Sequence, residues 1–260
     1  MTPLPFFQVD AFAAKAFEGN PAAVMPLTEW LPDATMQAIA AENNLSETAF
    51  TVPSEAAGAD YDLRWFTPTV EVDLCGHASL AAGHILIHGA AVRFSSRSGI
   101  LIVTRDGDLL RLDLPAYQVE QGVEPGLLGA LGLPADVPTY LGRGNGSAIA
   151  LLADEAAVRA VAPDFAALRN IDRLVIVTAP GDDTAVTSRV FAAYHGIDED
   201  SVTGAAHAAL VPFWAEKLGR ARFTALQASK RGGHLDCELR GDRVILGGHC
   251  VTVIEGHFQL

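Results

Sequence analysis

The sequence predicts an α+β fold of two pseudo-symmetric lobes, each a curled, mostly antiparallel β sheet around one central helix. Three observations lead there. A nearly charge-free helix opened by glycine occurs twice, first in Val72-Asp-Leu-Cys-Gly-His-Ala-Ser-Leu-Ala-Ala-Gly-His-Ile-Leu-Ile87 and again in Gly196-Ile-Asp-Glu-Asp-Ser-Val-Thr-Gly-Ala-Ala-His-Ala-Ala-Leu-Val-Pro-Phe-Trp214. Such a repeat points to internal duplication. Short alternating segments with turn residues between them surround both copies, as strands do. Finally, 260 residues are enough for two halves that each bury a core. A helix without charges needs burial on all sides, and a sheet curled around it provides that.

In chain order, Phe6–Phe12 alternates as a strand, and Gly19-Asn20-Pro21 makes a turn into a second one. Residues 32–42 carry Met36, Ile39 and Ala40 on one helical face and stop at Asn43-Asn44. Strands follow at 45–52 and 61–67, the first with Glu47 near its entry, and Pro68 leads to the first glycine-opened helix. Short β runs are expected at 92–95, 99–104 and 109–114, with Asp106-Gly107 as a hairpin turn. The looser passage 116–136 marks the boundary, giving lobes of 1–115 and 116–248, with 249–260 returning to the first. From Thr139 the order repeats: a strand, a hairpin at Gly142-Arg-Gly-Asn-Gly146, a strand at 147–153, one helix near 155–168, strands at 173–178 and 187–193, and the second motif helix. Strands at 224–227, 234–240, 244–247 and 250–255 complete the pattern.

Composition excludes several classes. Eighteen basic against thirty-one acidic residues give a net charge of −13 at pH 7, which repels nucleic acid and anionic membrane surfaces. No nucleic-acid or membrane partner is expected. Three cysteines, Cys75, Cys237 and Cys250, form no CxxC pair, as suits a reducing compartment. The first ten residues lack the basic start of a signal peptide. The longest apolar stretch, 78–92, carries His84 and His88 and is too short to span a bilayer. A cytoplasmic protein is the expectation.

Several residues invite chemistry, each beside a plainer reading. Asp198, Glu199, Asp200 and Ser201 are candidate caps for the second motif helix, while Gly204, Ala205 and Ala206 let a ligand approach its first turn. The unpaired amides and the dipole at such an end suit a carboxylate or phosphate. The two helix mouths are expected to face each other across one cleft. Glu47 is either a surface cap or a partly desolvated group tuned for acid/base work. His77, at a helix N-terminus, should have its cation disfavoured, or be a satisfied core histidine. Asp200 is an N-cap or an orienting carboxylate. Cys75, just before the first mouth, has a thiol that helix end would activate. His84 and His88 lie four apart but lack a third ligand, so no metal is assigned. The Gly142–Gly146 cluster precedes a strand where a dinucleotide site needs a helix.

Taken together, Gly19-Asn-Pro-Ala-Ala-Val24, Asn44-Leu-Ser-Glu-Thr-Ala-Phe50, Arg64-Trp-Phe-Thr-Pro68, Glu71-Val-Asp-Leu-Cys-Gly-His-Ala78 and Glu199-Asp-Ser-Val-Thr-Gly-Ala-Ala-His207 resemble the PhzF family of phenazine biosynthesis, within the diaminopimelate epimerase-like group. The resemblance implies that fold, a site between the lobes, commonly a homodimer, and isomerisation by proton movement without cofactor or metal. It implies Glu47 as the acid/base, with His77 and Asp200 completing the catalytic set. The expected substrate is a small carboxylated, cyclic, unsaturated molecule, bound by Asn20, Ser46 and the amides at Gly76, Thr203, Gly204 and Ala205. Ala205 stands where the family often has serine, which leaves backbone donors to hold the carboxylate. Cys75 occupies the place of one epimerase thiol, but no second cysteine accompanies it in 200–204. The alternatives are an amino-acid epimerase or racemase, and a non-catalytic small-molecule-binding protein of the same fold.

Overall fold

A computed structural model of the chain describes residues 3–260; Met1 and Thr2, part of the stretch read for a leader, lie outside the described residues. The chain divides into two compact units, one formed by the residues up to Asp113 with Gly247–Leu260, the other by Leu114–Leu246. The first contains β1 (Leu4–Ala11), β2 (Asn20–Pro26), α1 (Asp33–Asn43), β3 (Glu47–Pro53), β4 (Tyr61–Phe66), β5 (Glu71–Val72), α2 (Gly76–Leu86), β6 (Ala91–Ser96), β7 (Gly99–Asp106) and β8 (Leu109–Pro115). The second contains β9 (Val119–Gln121), α3 (Leu127–Ala130), β10 (Thr139–Gly142), β11 (Ser147–Leu151), α4 (Glu155–Ala160), α5 (Phe165–Leu168), β12 (Leu174–Pro180), β13 (Val186–Ala192), β14 (Ile197–Asp200), α6 (Gly204–Leu218), β15 (Arg222–Gln227), β16 (Gly233–Arg240) and β17 (Arg243–Gly248). Strand β18 (Cys250–Phe258) pairs antiparallel with β1 and so belongs to the first unit.

Both units use the same pairing order. In the first, β2 runs parallel to β3, β3 antiparallel to β4, β4 antiparallel to β5 and parallel to β6. In the second, β11, β12, β13, β14 and β15 repeat those relations. Registers correspond too: Glu47 lies opposite Ala22 and Arg64 opposite Phe50, while Leu174 lies opposite Ser147 and Arg189 opposite Val177. The duplication therefore covers the sheets as well as the helices, and the fold is diaminopimelate epimerase-like.

Local chemistry explains the elements. Strand β8 buries Leu110, Leu112 and Leu114 on alternate positions. Helix α1 ends where Asn44 turns left-handed at φ 49°. The single helix expected near 155–168 is two short ones, because Pro163 offers no backbone donor to continue the first turn. Asp154 and Asp164 then cap them separately, accepting from the amides of Ala157 and Ala167.

Helix α2 is buried along nearly its whole length, including His77 and Ser79. Its mid-helix glycine has a specific cause: a Cβ on Gly83 would lie 2.6 Å from Val103 Cγ1 on β7. Alanine ordinarily improves a helix interior by about 1 kcal/mol over glycine, but overpacking a core costs about 1–3 kcal/mol, so the clash prevails. We expect Gly83→Ala to lower the urea midpoint, and the added Val103→Ala change to recover less than its own cavity removes. An unchanged or raised midpoint in Gly83→Ala would show that α2 has room against β7.

Candidate active site

The first motif helix begins beside the start of β2 and β3. Gly19, at φ +64°, brings the backbone so near Ala11 that a Cβ would sit 2.1 Å from its carbonyl oxygen, and this turn sets Asn20 at the head of β2. Asn20 Nδ2 lies 3.2 Å from His77 Nδ1, and Ser46 Oγ donates to Asn20 Oδ1 at 3.5 Å. On the other side of the ring, His77 Nε2 is 3.2 Å from Glu47 Oε2, with side-chain exposures of 5% and 14%. Both of those atoms are fully enclosed and lack hydrogen-bond alignment, so we treat the contact as an ion pair. Glu47 is thus no surface cap on a turn. The N-cap residue Cys75 makes no side-chain cap, which leaves the first-turn amides of α2 without a capping acceptor from it.

Cys75 completes this cluster. Its Sγ is 3.5 Å from His77 Nδ1, and Ser79 Oγ donates to the Cys75 carbonyl at 2.5 Å. Burial pushes the thiol up to about 11, and Glu47 adds to the effect. A thiol activated by the helix end was expected; the sulfur is instead protonated near neutral pH, because desolvation outweighs the dipole. The neutral His77 expected from the same dipole is also corrected. Burial disfavours its cation, but the Cys75 sulfur and the Glu47 carboxylate raise it well above the ordinary value of 6.5.

Glu47, Cys75 and His77 are, among the described residues, the one group of three metal-capable side chains with ligand atoms mutually within 4.8 Å. Their closest approaches use opposite ring nitrogens, Nδ1 for the sulfur and Nε2 for the carboxylate. The sulfur and the carboxylate also lie within 4.8 Å of each other, so the three groups form one compact cluster. His84, considered for metal in the sequence, meets Thr252 Oγ1 at 3.1 Å.

In the second unit, Thr203 is the N-cap of α6 and again provides no side-chain cap. Asp200 Oδ2 accepts from Thr203 Oγ1 at 2.5 Å. The Thr203 amide, expected to hold a substrate carboxylate, already donates to Gln227 Oε1 at 2.8 Å. Gln227 Nε2 also donates to the Asp200 carbonyl at 2.8 Å. Gly204 and Ala205 keep their expected places in the first turn of α6. Asn145 Nδ2 donates to the Ala205 carbonyl at 3.1 Å. His207 donates from Nδ1 to the Thr203 carbonyl at 2.9 Å, as Ser79 does to Cys75 in the other copy.

The two mouths share one frame with different chemistry. Arg64 forks onto Glu71 and lies over Phe66, just as Arg189 forks onto Glu199 and lies over Phe191. Planar bidentate pairs of this kind fix geometry. Counting from the glutamates, Cys75 matches Thr203, Gly76 matches Gly204, and His77 matches Ala205. By strand register Glu47 matches Leu174. The second copy has neither a carboxylate nor an imidazole at the corresponding places. Asn145, Gln227 and His207 escaped the sequence reading. Their signals were a Gly-Asn pair repeated at 19–20 and 144–145, and a glutamine on the inward face of β15 beside Phe223 and Ala225.

The profile described as "Phenazine biosynthesis-like protein" (PhzC-PhzF) matches residues 9–256. An uncharacterized isomerase of Pseudomonas aeruginosa is 49% identical, with 99% of both chains covered. A crystal structure of a phenazine biosynthesis protein of the PhzF family from Enterococcus faecalis superposes with a TM-score of 0.92 at 44% identity, covering 100% of each chain. A probable proline racemase from Agrobacterium radiobacter, at 13% identity and TM-score 0.66 over 99% of this chain and 93% of that one, shares the fold alone. With profile, sequence identity and architecture in agreement, the chain belongs to the PhzC-PhzF family of phenazine biosynthesis-like proteins.

Proposed function

We propose that this protein is an isomerase that moves a proton on a small carboxylated, cyclic, unsaturated substrate, with Glu47 as general acid/base and without cofactor or metal. The relatives named as isomerases support the reaction type, and the observation that carries the mechanism is the enclosed contact of Glu47 Oε2 with His77 Nε2 at 3.2 Å beside the N-terminus of α2. The imidazole engages Oε2, leaving Oε1 as the oxygen that removes a proton from an sp³ carbon and returns it elsewhere on the same face. Leu174 and Ala205 at the corresponding places of the second copy fit a single acid/base. Amides at Gly76, Gly204 and Ala205 receive the substrate carboxylate and the charge that builds in the transition state, a contribution on the order of several kcal/mol for preorganised donors. Asp200, held by Thr203 and Gln227, and His77 orient polar substituents, with Asn20 and Ser46 supporting the ring of His77. The family resemblance adds a homodimer.

The test is a panel of cyclic diene carboxylic acids incubated with the protein in deuterated buffer and followed by proton NMR. A double-bond shift on one face of the ring, with deuterium at the carbon that receives the proton, is expected. Exchange confined to the α-hydrogen of amino acids, with inversion and without a double-bond shift, would favour epimerase chemistry and defeat this reading.

A further inference from the structure

We infer that Glu47, Cys75 and His77 form a binding site for one zinc-class ion, which inhibits the proposed isomerase by occupying its acid/base. One donor atom from each residue lies within 4.8 Å of the other two. Sγ is 3.5 Å from Nδ1, and Oε2 is 3.2 Å from Nε2. Around tetrahedral zinc, with bonds of about 2.0–2.3 Å, neighbouring donors stand about 3.4–3.6 Å apart. The two contacts use different ring nitrogens and an ion needs both neighbours at one of them. The ring therefore turns, or the Glu47 carboxylate swings by about an ångström, as the ion enters.

A second observation points to a ligand. Glu47 Oε2 and His77 Nε2 are fully enclosed, face each other, and neither has a hydrogen-bond partner; the His77 side chain is only 5% exposed. Enclosed polar atoms without partners are costly, and a bound cation satisfies a carboxylate oxygen and an imidazole nitrogen alike. The donor set selects the ion. Thiolate and imidazole favour zinc and its soft neighbours, whereas magnesium and calcium require oxygen ligands. The thiol proton leaves as the sulfur binds, and three protein ligands leave the fourth tetrahedral position to water. Asn20, 3.2 Å from Nδ1 and itself joined to Ser46, steadies the ring, as outer partners of metal-bound histidines do. A net charge of −13 draws cations to the chain. The second copy offers Leu174, Thr203 and Ala205 at the matching places, so one ion per chain follows.

Binding stands apart from turnover; only the inhibition rests on Glu47 being the acid/base. Protein stripped with EDTA and kept reduced with a phosphine is titrated with cobalt(II), a zinc stand-in whose bond to a thiolate adds a charge-transfer band in the near ultraviolet. Zinc binding is followed in parallel by calorimetry. One ion per chain, a cobalt band at saturation and no displacement by excess magnesium are expected. Cys75→Ser is expected to erase the band, and His77→Gln to weaken zinc at least about tenfold. Replacing Cys237 and Cys250 together by alanine is expected to change neither. If the ligand variants fail to fold, NMR-active cadmium bound to wild-type protein with 15N-labelled histidine decides the matter, through a coupling to a ring nitrogen of His77. No band, a band that persists in Cys75→Ser, a band lost with Cys237 and Cys250, or cadmium coupled to no ring nitrogen of His77 would each overturn the site. Equimolar zinc is expected to stop turnover of a confirmed substrate and EDTA to restore it; bound zinc with undiminished turnover would overturn the inhibition. Loss of turnover in Glu47→Gln, in a protein whose wild type binds no zinc, would leave the proposed function intact and remove only the metal site.

Discussion

Glu47→Gln is expected to reduce turnover of a confirmed substrate by about a thousandfold, within the range that positioned acid/base groups contribute, while KM changes little. Glutamine keeps the size and planarity of the side chain, so β3 and the mouth of α2 should retain their packing. It removes the one atom type the reaction cannot do without, an oxygen that takes up and releases a proton. Single-turnover NMR together with ligand affinity measured by calorimetry separates the two effects. A variant that binds and turns over as the wild type does would eliminate Glu47 as the acid/base. Equal binding by both proteins with no turnover by either would point to a binding protein.

Much of this architecture was legible because it is written in local patterns. Alternation placed most strands, Asn43-Asn44 stopped α1, and the two charge-free helices announced the duplication. What stayed hidden depends on distance in sequence. Spacing placed Glu47 at a strand entry, yet its partner His77 arrives from α2, and only tertiary packing reveals that a histidine at a helix N-terminus is charged more easily and not less. Cys75 illustrates the same limit from the other side: the helix end argues for an activated thiol, and burial, which the sequence does not display, reverses the sign. Asn145 was read as part of a plain hairpin because the apolar strand after it ruled out a phosphate loop. Its role appears only when the two sheets are aligned and it falls where Asn20 stands. The short strands β5, β9 and β14 were missed as well, since runs of two to four residues leave too little periodicity to detect.

Acidification is expected to destabilise the fold between pH 6.5 and about 4, with buried His207 as a principal contributor. Its ring is buried, Nδ1 donates to the Thr203 carbonyl, and Nε2 is enclosed without a hydrogen-bond partner among the described residues. Burial pulls its pKa down to about 4, only partly offset by the Thr203 carbonyl. In that window the unfolded chain binds a proton that the folded chain refuses, so stability is complete above 6.5 and declines as pH falls toward 4. At roughly 1.4 kcal/mol per unit, the loss is about 3 kcal/mol. His77 works with the opposite sign: its raised value makes its contribution complete below 6.5 and lost as pH rises through the folded value. The two histidines thus contribute with opposite sign on the acid and alkaline sides of neutrality. His207→Asn tests the acid shoulder, since its amide nitrogen replaces Nδ1 as donor to Thr203 while nothing is left to titrate. Urea unfolding from pH 7 to pH 4 should show a shallower fall in the variant than in the wild type, by about 3 kcal/mol across the window. Parallel curves would mean that water or a rearranged α6 lets His207 accept its proton in the folded state.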